Sequence, residues 1–367
     1  MPIRRFRNSW PTRTVMDSIE HSSELKSEPV LVTGASGFIG SRVVQRLVDL
    51  GFERVRCLVR SSSGADRLQS AVDACSERQS IEIVTGDLTS RQDCARAAAG
   101  VSIVYHLAAG FDKSFAGAFM SSALGTRNLL DALLKNPPLH RFVNVSSFAV
   151  YSNRTLARGA VLDETTPLED AFQERSDAYG YGKLKQEEVV RQYGCTHGLP
   201  YVILRPGTVF GPGKPDLTGR IGINTFGFFM HVGGSNALPL TYVDNCADAI
   251  VLAGTVPGAE GKTFNVVDDD TLTSTQFLRA YKRSVPPFFS LRLPYAVAYA
   301  LCAMWEDYSK FSKGQLPPAF NRRRCMAEWK GNRFPNAAIR AGLGWAPRVS
   351  MVEAMKEYCK QFEAAAG

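Results

Sequence analysis

The chain has 367 residues, 45% of them hydrophobic and 21% charged, with a formal net charge of +8. That is room for one large α/β domain plus a smaller lobe, and too apolar a balance for a disordered or fibrous chain. The basic excess gathers near the ends, at Arg4, Arg5, Arg7 and Arg13 and again at Arg322, Arg323 and Arg324, without a stripe of cations and aromatics on one element, so a solvated basic surface is expected rather than a nucleic-acid interface.

Residues 1–28 lack an apolar signal core and read as a disordered basic extension, with Met16 as a second plausible start. The domain proper is expected from Pro29. The apolar run Pro29–Thr33 predicts a strand, Thr33-Gly34-Ala35-Ser36-Gly37-Phe38-Ile39-Gly40 a tight glycine turn, and Phe38–Leu50 an amphipathic helix with Phe38, Ile39, Val43, Val44, Leu47 and Leu50 on one face. A strand, a glycine turn and a helix in that order make a dinucleotide site. Gly34 permits the sharp turn, Gly37 lets the backbone approach a pyrophosphate, and Gly40 lets the helix pack on the sheet. Phosphate oxygens then meet the free amides of the helix start.

Further strands are expected at Arg54–Arg60, Ile81–Thr85, Ser102–Leu107, Arg141–Ser146, Tyr201–Leu204 and Lys262–Val267, with helices at Arg91–Ala99, Ala116–Leu134, Tyr179–Tyr193 and Asn245–Gly254. This alternation predicts an α/β fold, a doubly wound parallel sheet buried on both faces. Gly211-Pro212-Gly213-Lys214-Pro215 is loop chemistry, and the pattern loosens beyond it. The expected division is 29–212 with 241–270 as the cofactor domain, and 213–240 with 271–367 as a smaller substrate lobe over the carboxyl ends of the strands. Pro286–Trp305 is the most apolar stretch, but Arg292 and Pro294 interrupt it short of the ~18 residues a span needs. It is expected to be a helix beneath the substrate lobe, with contact to a lipid surface as the alternative. The eight cysteines, at 57, 75, 94, 195, 246, 302, 325 and 359, show no metal-ligand or disulfide spacing and read as reduced thiols of a cytoplasmic protein with no metal site.

Chemistry is carried by Tyr179-Gly180-Tyr181-Gly182-Lys183. Tyr179 and Lys183 stand one helical turn apart on one face. A neighbouring ammonium should pull the phenol down from its ordinary pKa of about 10, so that it exchanges a proton with a substrate hydroxyl or carbonyl. Tyr181 and Lys185 have the same spacing but lie about 200° further round, and only one pair can face the cofactor.

These motifs together resemble an extended short-chain dehydrogenase/reductase of the NAD-dependent epimerase/dehydratase group, over about Val30 to Phe362. The resemblance also rests on Gly86-Asp87-Leu88, His106-Leu107-Ala108-Ala109, Val145-Ser146-Ser147-Phe148-Ala149-Val150-Tyr151, Leu204-Arg205-Pro206-Gly207-Thr208-Val209-Phe210-Gly211-Pro212-Gly213 and Leu343-Gly344-Trp345-Ala346-Pro347. It implies a Rossmann sheet and a homodimer through helices of that domain. It implies Ser147, Tyr179 and Lys183 as catalytic residues, Gly182 and Glu187 fitting Lys183 rather than Lys185. It implies cofactor contacts from Gly34, Ser36, Gly37, Phe38, Ile39 and Gly40, from Asp87 and Leu88, from Leu107, Ala108 and Ala109, from Tyr179 and Lys183, and from Pro206, Thr208 and Val209. In the implied mechanism Ser147 polarises the substrate oxygen, Tyr179 moves the proton and Lys183 holds the nicotinamide ribose.

The second strand ends Arg60-Ser61-Ser62-Ser63 without the acid that would hold a ribose 2′-hydroxyl. Arg60 could pair a 2′-phosphate, which favours NADP(H) over NAD(H). Ser122 stands where the family often has Asn, Phe148-Ala149 replaces the dehydratases' Asp-Glu, and Leu238-Pro239 replaces an Arg-Asp pair of many epimerases. The chain therefore looks more like the 3β-hydroxysteroid dehydrogenase and dihydroflavonol-reductase side of the family, acting on a small-molecule secondary alcohol or ketone. A nucleotide-sugar 4-epimerase is the alternative, and a non-catalytic cofactor-binding regulator the remaining one.

Overall fold

Seven short apolar runs pair into one parallel sheet: β1 (Val30–Thr33), β2 (Arg54–Val59), β3 (Ser80–Thr85), β4 (Ile103–His106), β5 (Arg141–Val145), β6 (Tyr201–Pro206) and, late in the chain, Thr263–Val266. The structure is a computed structural model that describes residues 23–73, 80–136, 138–225, 227–312, 315 and 320–363. The strand order is β3-β2-β1-β4-β5-β6 followed by Thr263–Val266, with every pairing parallel. The order reverses between β1 and β4, and the crevice beyond their carboxyl ends is where such sheets bind ligands.

The strands alternate sides, which divides the core into two layers. Val30 and Val32 of β1 join one cluster with Val43, Val44 and Leu47 of helix Phe38–Asp49 and Ile250 of helix Val243–Thr255. Leu31 joins the other with Leu129, Leu130 and Val190. Burial on both faces explains why β1 reads as an unbroken apolar run, whereas the edge strand β3 is partly exposed.

The expected elements are present to within a few residues at most ends. Two differences matter. The run expected as one helix over Ala116–Leu134 is a short α turn (Phe115–Ala118), a π turn (Phe119–Leu124) and an α-helix (Gly125–Leu133). The π turn lies against helix Ala178–His197, where a Cβ on Gly182 would stand 3.0 Å from the Ala118 carbonyl oxygen and 3.1 Å from Ser122 Oγ. The serines after Arg60 do not form an extended loop, because Ser62–Asp73 is helical.

Of the expected 1–28 extension, residues 1–22 lie outside the described residues. Ser23–Ser27 is a helical turn, and Glu28 accepts a hydrogen bond from Ser102 Oγ, so the chain is anchored before β1.

The C-terminal part carries two small sheets: β7 (Thr208–Phe210) pairs in parallel with β10 (Leu240–Tyr242), while β9 (Phe228–His231) lies between β8 (Gly222–Thr225) and the short strand Ser290–Arg292. Residues 337–363 bridge the two parts, helix Met351–Glu363 packing on helix Ser274–Ser284 through Tyr358 and Phe277, whose ring centres lie 5.6 Å apart. Trp345 donates to the Asn245 carbonyl at 3.1 Å, and Met351, Met355 and Tyr358 share the core cluster of the sheet domain. Helix Tyr295–Phe311 buries Ala298 and Cys302 against Val232, Cys325 and Trp329. Among the described residues no helix is long and apolar enough to cross a membrane.

Candidate active site

The glycine loop is locked by three close approaches. Gly34 has φ +68°, and a Cβ there would stand 2.9 Å from the Ala108 amide. The Gly37 amide donates to the Gly34 carbonyl at 3.0 Å. A Cβ on Gly40 would fall on that same carbonyl oxygen. Gly37 caps helix Phe38–Asp49 without any side-chain hydrogen bond, which leaves the first amides to a ligand. This cradle, which a side chain would fill, fits a dinucleotide pyrophosphate.

The loop opens into a cavity of about 960 Å³, lined at one end by Arg60, Asp87 and Leu88, then by Leu107, Ala108 and Ala109, and further on by Ser147, Tyr179, Lys183, Pro206, Thr208 and Val209. Ser36, Phe38 and Ile39 line it too, so every residue singled out from the sequence reaches one cavity. The Asp87 carboxyl is held below its ordinary pKa chiefly by the Thr89 amide and hydroxyl, both at 2.7 Å, with Arg60 nearby as a further cause.

Tyr179 and Lys183 face the cavity, whereas Tyr181 packs against Phe115 and Phe172, and Lys185 pairs with Glu188 at 2.7 Å on the surface. Burial pushes the Tyr179 phenol up to about 12, only partly opposed by a hydrogen bond with Ser147, while Asp177 pushes it the same way as burial. The expected downward pull from Lys183 is therefore not present. Lys183 Nζ instead donates to the Val145 carbonyl at 2.6 Å and to Gln186 Oε1 at 2.9 Å, and burial lowers its own pKa to about 7 against the charge of Glu187. For both groups desolvation is the largest cause of the shift.

Gln186 is the hub beneath the lysine. Its Nε2 lies 2.8 Å from His106 Nε2, 2.9 Å from Thr126 Oγ1 and 3.2 Å from the Ala108 carbonyl. His106 Nδ1 lies 2.8 Å from Thr33 Oγ1 at the end of β1. Burial first, and the Lys183 charge second, hold the imidazole pKa down at about 3, so His106 is neutral. A buried polar chain thus runs from the lysine to the strand that launches the glycine loop. Ser122, at the family's Asn position, accepts a 3.3 Å hydrogen bond from the Gly110 amide through Oγ, and its carbonyl accepts from Thr126 at 2.6 Å.

Sequence reasoning missed several cavity residues. The Phe111 ring stacks on Tyr179 at 5.1 Å and 2°. Lys214 Nζ lies 5.7 Å from the centre of the Phe38 ring and donates to the Val209 carbonyl at 3.2 Å. The far end is lined by Thr218, Gly219 and Arg220 and by Arg324, Ala327 and Glu328. Of the late arginines, Arg322 pairs with Glu306 at 2.9 Å, Arg323 is largely covered and pairs with Glu174 at 2.7 Å and with the buried Glu169 at 3.0 Å, and Arg324 turns to the cavity. Helical phase within Arg322–Trp329 was the one available signal, since 324, 327 and 328 share a face. Among the described residues no group of three or more His, Cys, Asp or Glu is placed to hold a metal ion.

A glycine-turn sheet with a Ser, Tyr and Lys at the mouth of its crevice defines an enzyme of the extended short-chain dehydrogenase/reductase type. The model of the NAD dependent epimerase/dehydratase family matches residues 30–266, and the chain belongs to that family. It is 28% identical over 350 residues to a 3-beta-hydroxysteroid dehydrogenase of Mycolicibacterium neoaurum, covering 89% of each chain. It is 27% identical to a 2-alkyl-3-oxoalkanoate reductase of Shewanella oneidensis, over 90% of this chain and 85% of the relative. In fold it is similar to the UDP-glucuronic acid 4-epimerase from Bacillus cereus in complex with NAD, with a TM-score of 0.67, 21% identity, and 92% of this chain and 100% of that one covered.

Proposed function

We propose that this chain transfers a hydride between a nicotinamide dinucleotide and a secondary alcohol or ketone, with Ser147, Tyr179 and Lys183 as its catalytic residues. The observation that carries this reading is the Tyr179 phenol, hydrogen-bonded to Ser147 on the wall of the glycine-loop cavity. Bound dinucleotide supplies the hydride. Ser147 Oγ orients and polarises the substrate oxygen, and Tyr179 Oη gives that oxygen its proton in reduction or takes it in oxidation. Lys183 is the residue to hold the nicotinamide ribose, and the backbone of Gly34 to Gly40 the one to cradle the pyrophosphate. The protein contributes position and electrostatics.

NADP(H) is the favoured cofactor, because Arg60 ends β2 on the cavity wall where a 2′-phosphate would meet it. A homodimer in the cytoplasm accords with the family resemblance. A nucleotide-sugar 4-epimerase is the second reading, favoured by Arg220 and Arg324 on the far wall, which suit an anionic substrate.

The test is a screen of sterols, β-keto acids, small ketones and UDP-sugars with NADPH and NADH. Net loss of reduced-nicotinamide absorbance supports the oxidoreductase, and epimerised sugar with no net change supports the second reading. An Arg60→Ala protein should lose about tenfold or more in affinity for NADPH and little for NADH. Tight NADH binding with weak NADPH binding in the parent protein would refute the cofactor assignment.

A further inference from the structure

Helix Tyr295–Phe311 is apolar on two opposite faces. Tyr295, Ala298, Tyr299 and Cys302 pack inward with Val232, Cys325 and Trp329. On the opposite side Val297, Leu301, Met304, Tyr308 and Phe311 are all exposed, Met304 at 67% and Phe311 at 83%. At 100° per residue these five fall within about 40° of one line, so they form a single ridge along the whole helix. Phe289 and Leu291, on the segment leading into the helix, are exposed as well. Scattered exposed apolar residues need no explanation, but a continuous ridge of this length marks a contact surface.

The charge around the ridge indicates its partner. Arg279 and Arg283 are exposed on the preceding helix Ser274–Ser284 and Arg292 on the segment leading into the helix, while Lys310 near its end is exposed and pairs with Glu306 at 2.7 Å. The acids of the helix, Glu306 and Asp307, are both engaged by Arg322, at 2.9 and 3.1 Å. An anionic surface would attract a chain of net charge +8. The ridge is convex, made of long and aromatic side chains, and flanked by cations. Those are the features of a helix that lies in a lipid interface with its apolar face among the acyl chains.

We propose that this face, Phe289 and Leu291 with the ridge Val297 to Phe311, seats the protein on the surface of a bilayer carrying anionic headgroups. The helix does not cross the bilayer. On its inner side it packs against helix Arg322–Trp329, whose Arg324, Ala327 and Glu328 line the catalytic cavity, so the wall of that cavity lies one helix away from the lipid.

The test is flotation of the full chain with phosphatidylcholine vesicles, with and without phosphatidylglycerol. Analytical ultracentrifugation and cofactor binding are run alongside. The protein should float with the anionic vesicles and stay behind with the neutral ones. Leu301→Glu with Met304→Glu should abolish flotation while cofactor binding is unchanged. Arg283→Gln with Arg292→Gln should weaken it roughly fivefold per cation removed, at low salt. The proposal is overturned if the parent chain does not float with either vesicle, or if the Leu301→Glu, Met304→Glu protein floats equally well. It is also overturned if those substitutions split an oligomer and leave vesicle binding intact.

Discussion

Replacing Gln186 with leucine keeps the side-chain volume and removes the hub beneath Lys183. Lys183 Nζ then retains the Val145 carbonyl as an acceptor, and the Ala108 carbonyl loses its Gln186 donor. A hydrogen bond to a charged group is worth about 1.5–3 kcal/mol, and one pKa unit is about 1.4 kcal/mol. Loss of the Oε1 acceptor should therefore lower the lysine, already at about 7, by a further one to two units or so. If protonated Lys183 is the working form, the alkaline limb of the kcat/KM profile moves down by that amount. Gln186→Glu places a carboxylate beside the same ammonium and should move the limb up, with Glu187 and His106 as the other titratable neighbours. The assay is kcat/KM against pH for the three proteins, with a urea unfolding curve for each. The leucine variant should also be less stable, by roughly 2–4 kcal/mol, from the buried groups left unpaired. Superimposable pH profiles, or a shift in the same direction for both variants, would refute the reasoning even if stability fell as expected.

Tyr179→Phe should lower turnover by roughly 10²–10⁴-fold and leave cofactor affinity unchanged, as read by fluorescence titration. A fully active phenylalanine protein would remove the phenol from the mechanism. Gly40→Ala sets a Cβ against the Gly34 carbonyl, where backbone cannot yield. It should abolish cofactor binding and lower the melting temperature, and retained binding would show that the loop is looser than described. His106 is held near 3, below its ordinary 6.5, so the folded state refuses a proton that the unfolded chain accepts. Its contribution to stability is complete above pH 6.5 and should fall by about 1.4 kcal/mol per pH unit as the pH drops from there toward 3. A His106→Asn protein lacks that slope, and equal acid sensitivity of the two proteins in denaturant titrations would exclude this assignment.

The strands, the glycine loop and the Tyr-Lys pair were legible because each is a local pattern. A buried parallel strand must be apolar throughout, a turn of φ +68° against the Ala108 amide must be glycine, and residues four apart on a helix must share a face. The far wall of the cavity was not legible. Gly219, Arg220, Ala327 and Glu328 come from two segments about a hundred residues apart, joined only by how the lobe folds back. The return of Trp345 and Tyr358 to the sheet core was hidden for the same reason.

By itself the sequence determined the class of fold, and it singled out the glycine loop with Ser147, Tyr179 and Lys183, which line one cavity. Only the tertiary structure decided their electrostatic state. Spacing along a helix brings a phenol and an amine to one face, but their pKa values depend on how much water the rest of the chain excludes. Here burial raises Tyr179 and lowers Lys183, the opposite of what the pair alone would do. The outer face of helix Tyr295–Phe311 is the same kind of case. Its apolar residues were plain in the sequence, but which of them would find a protein interior and which would be left facing out was settled by the packing of Cys325 and Trp329 against one side.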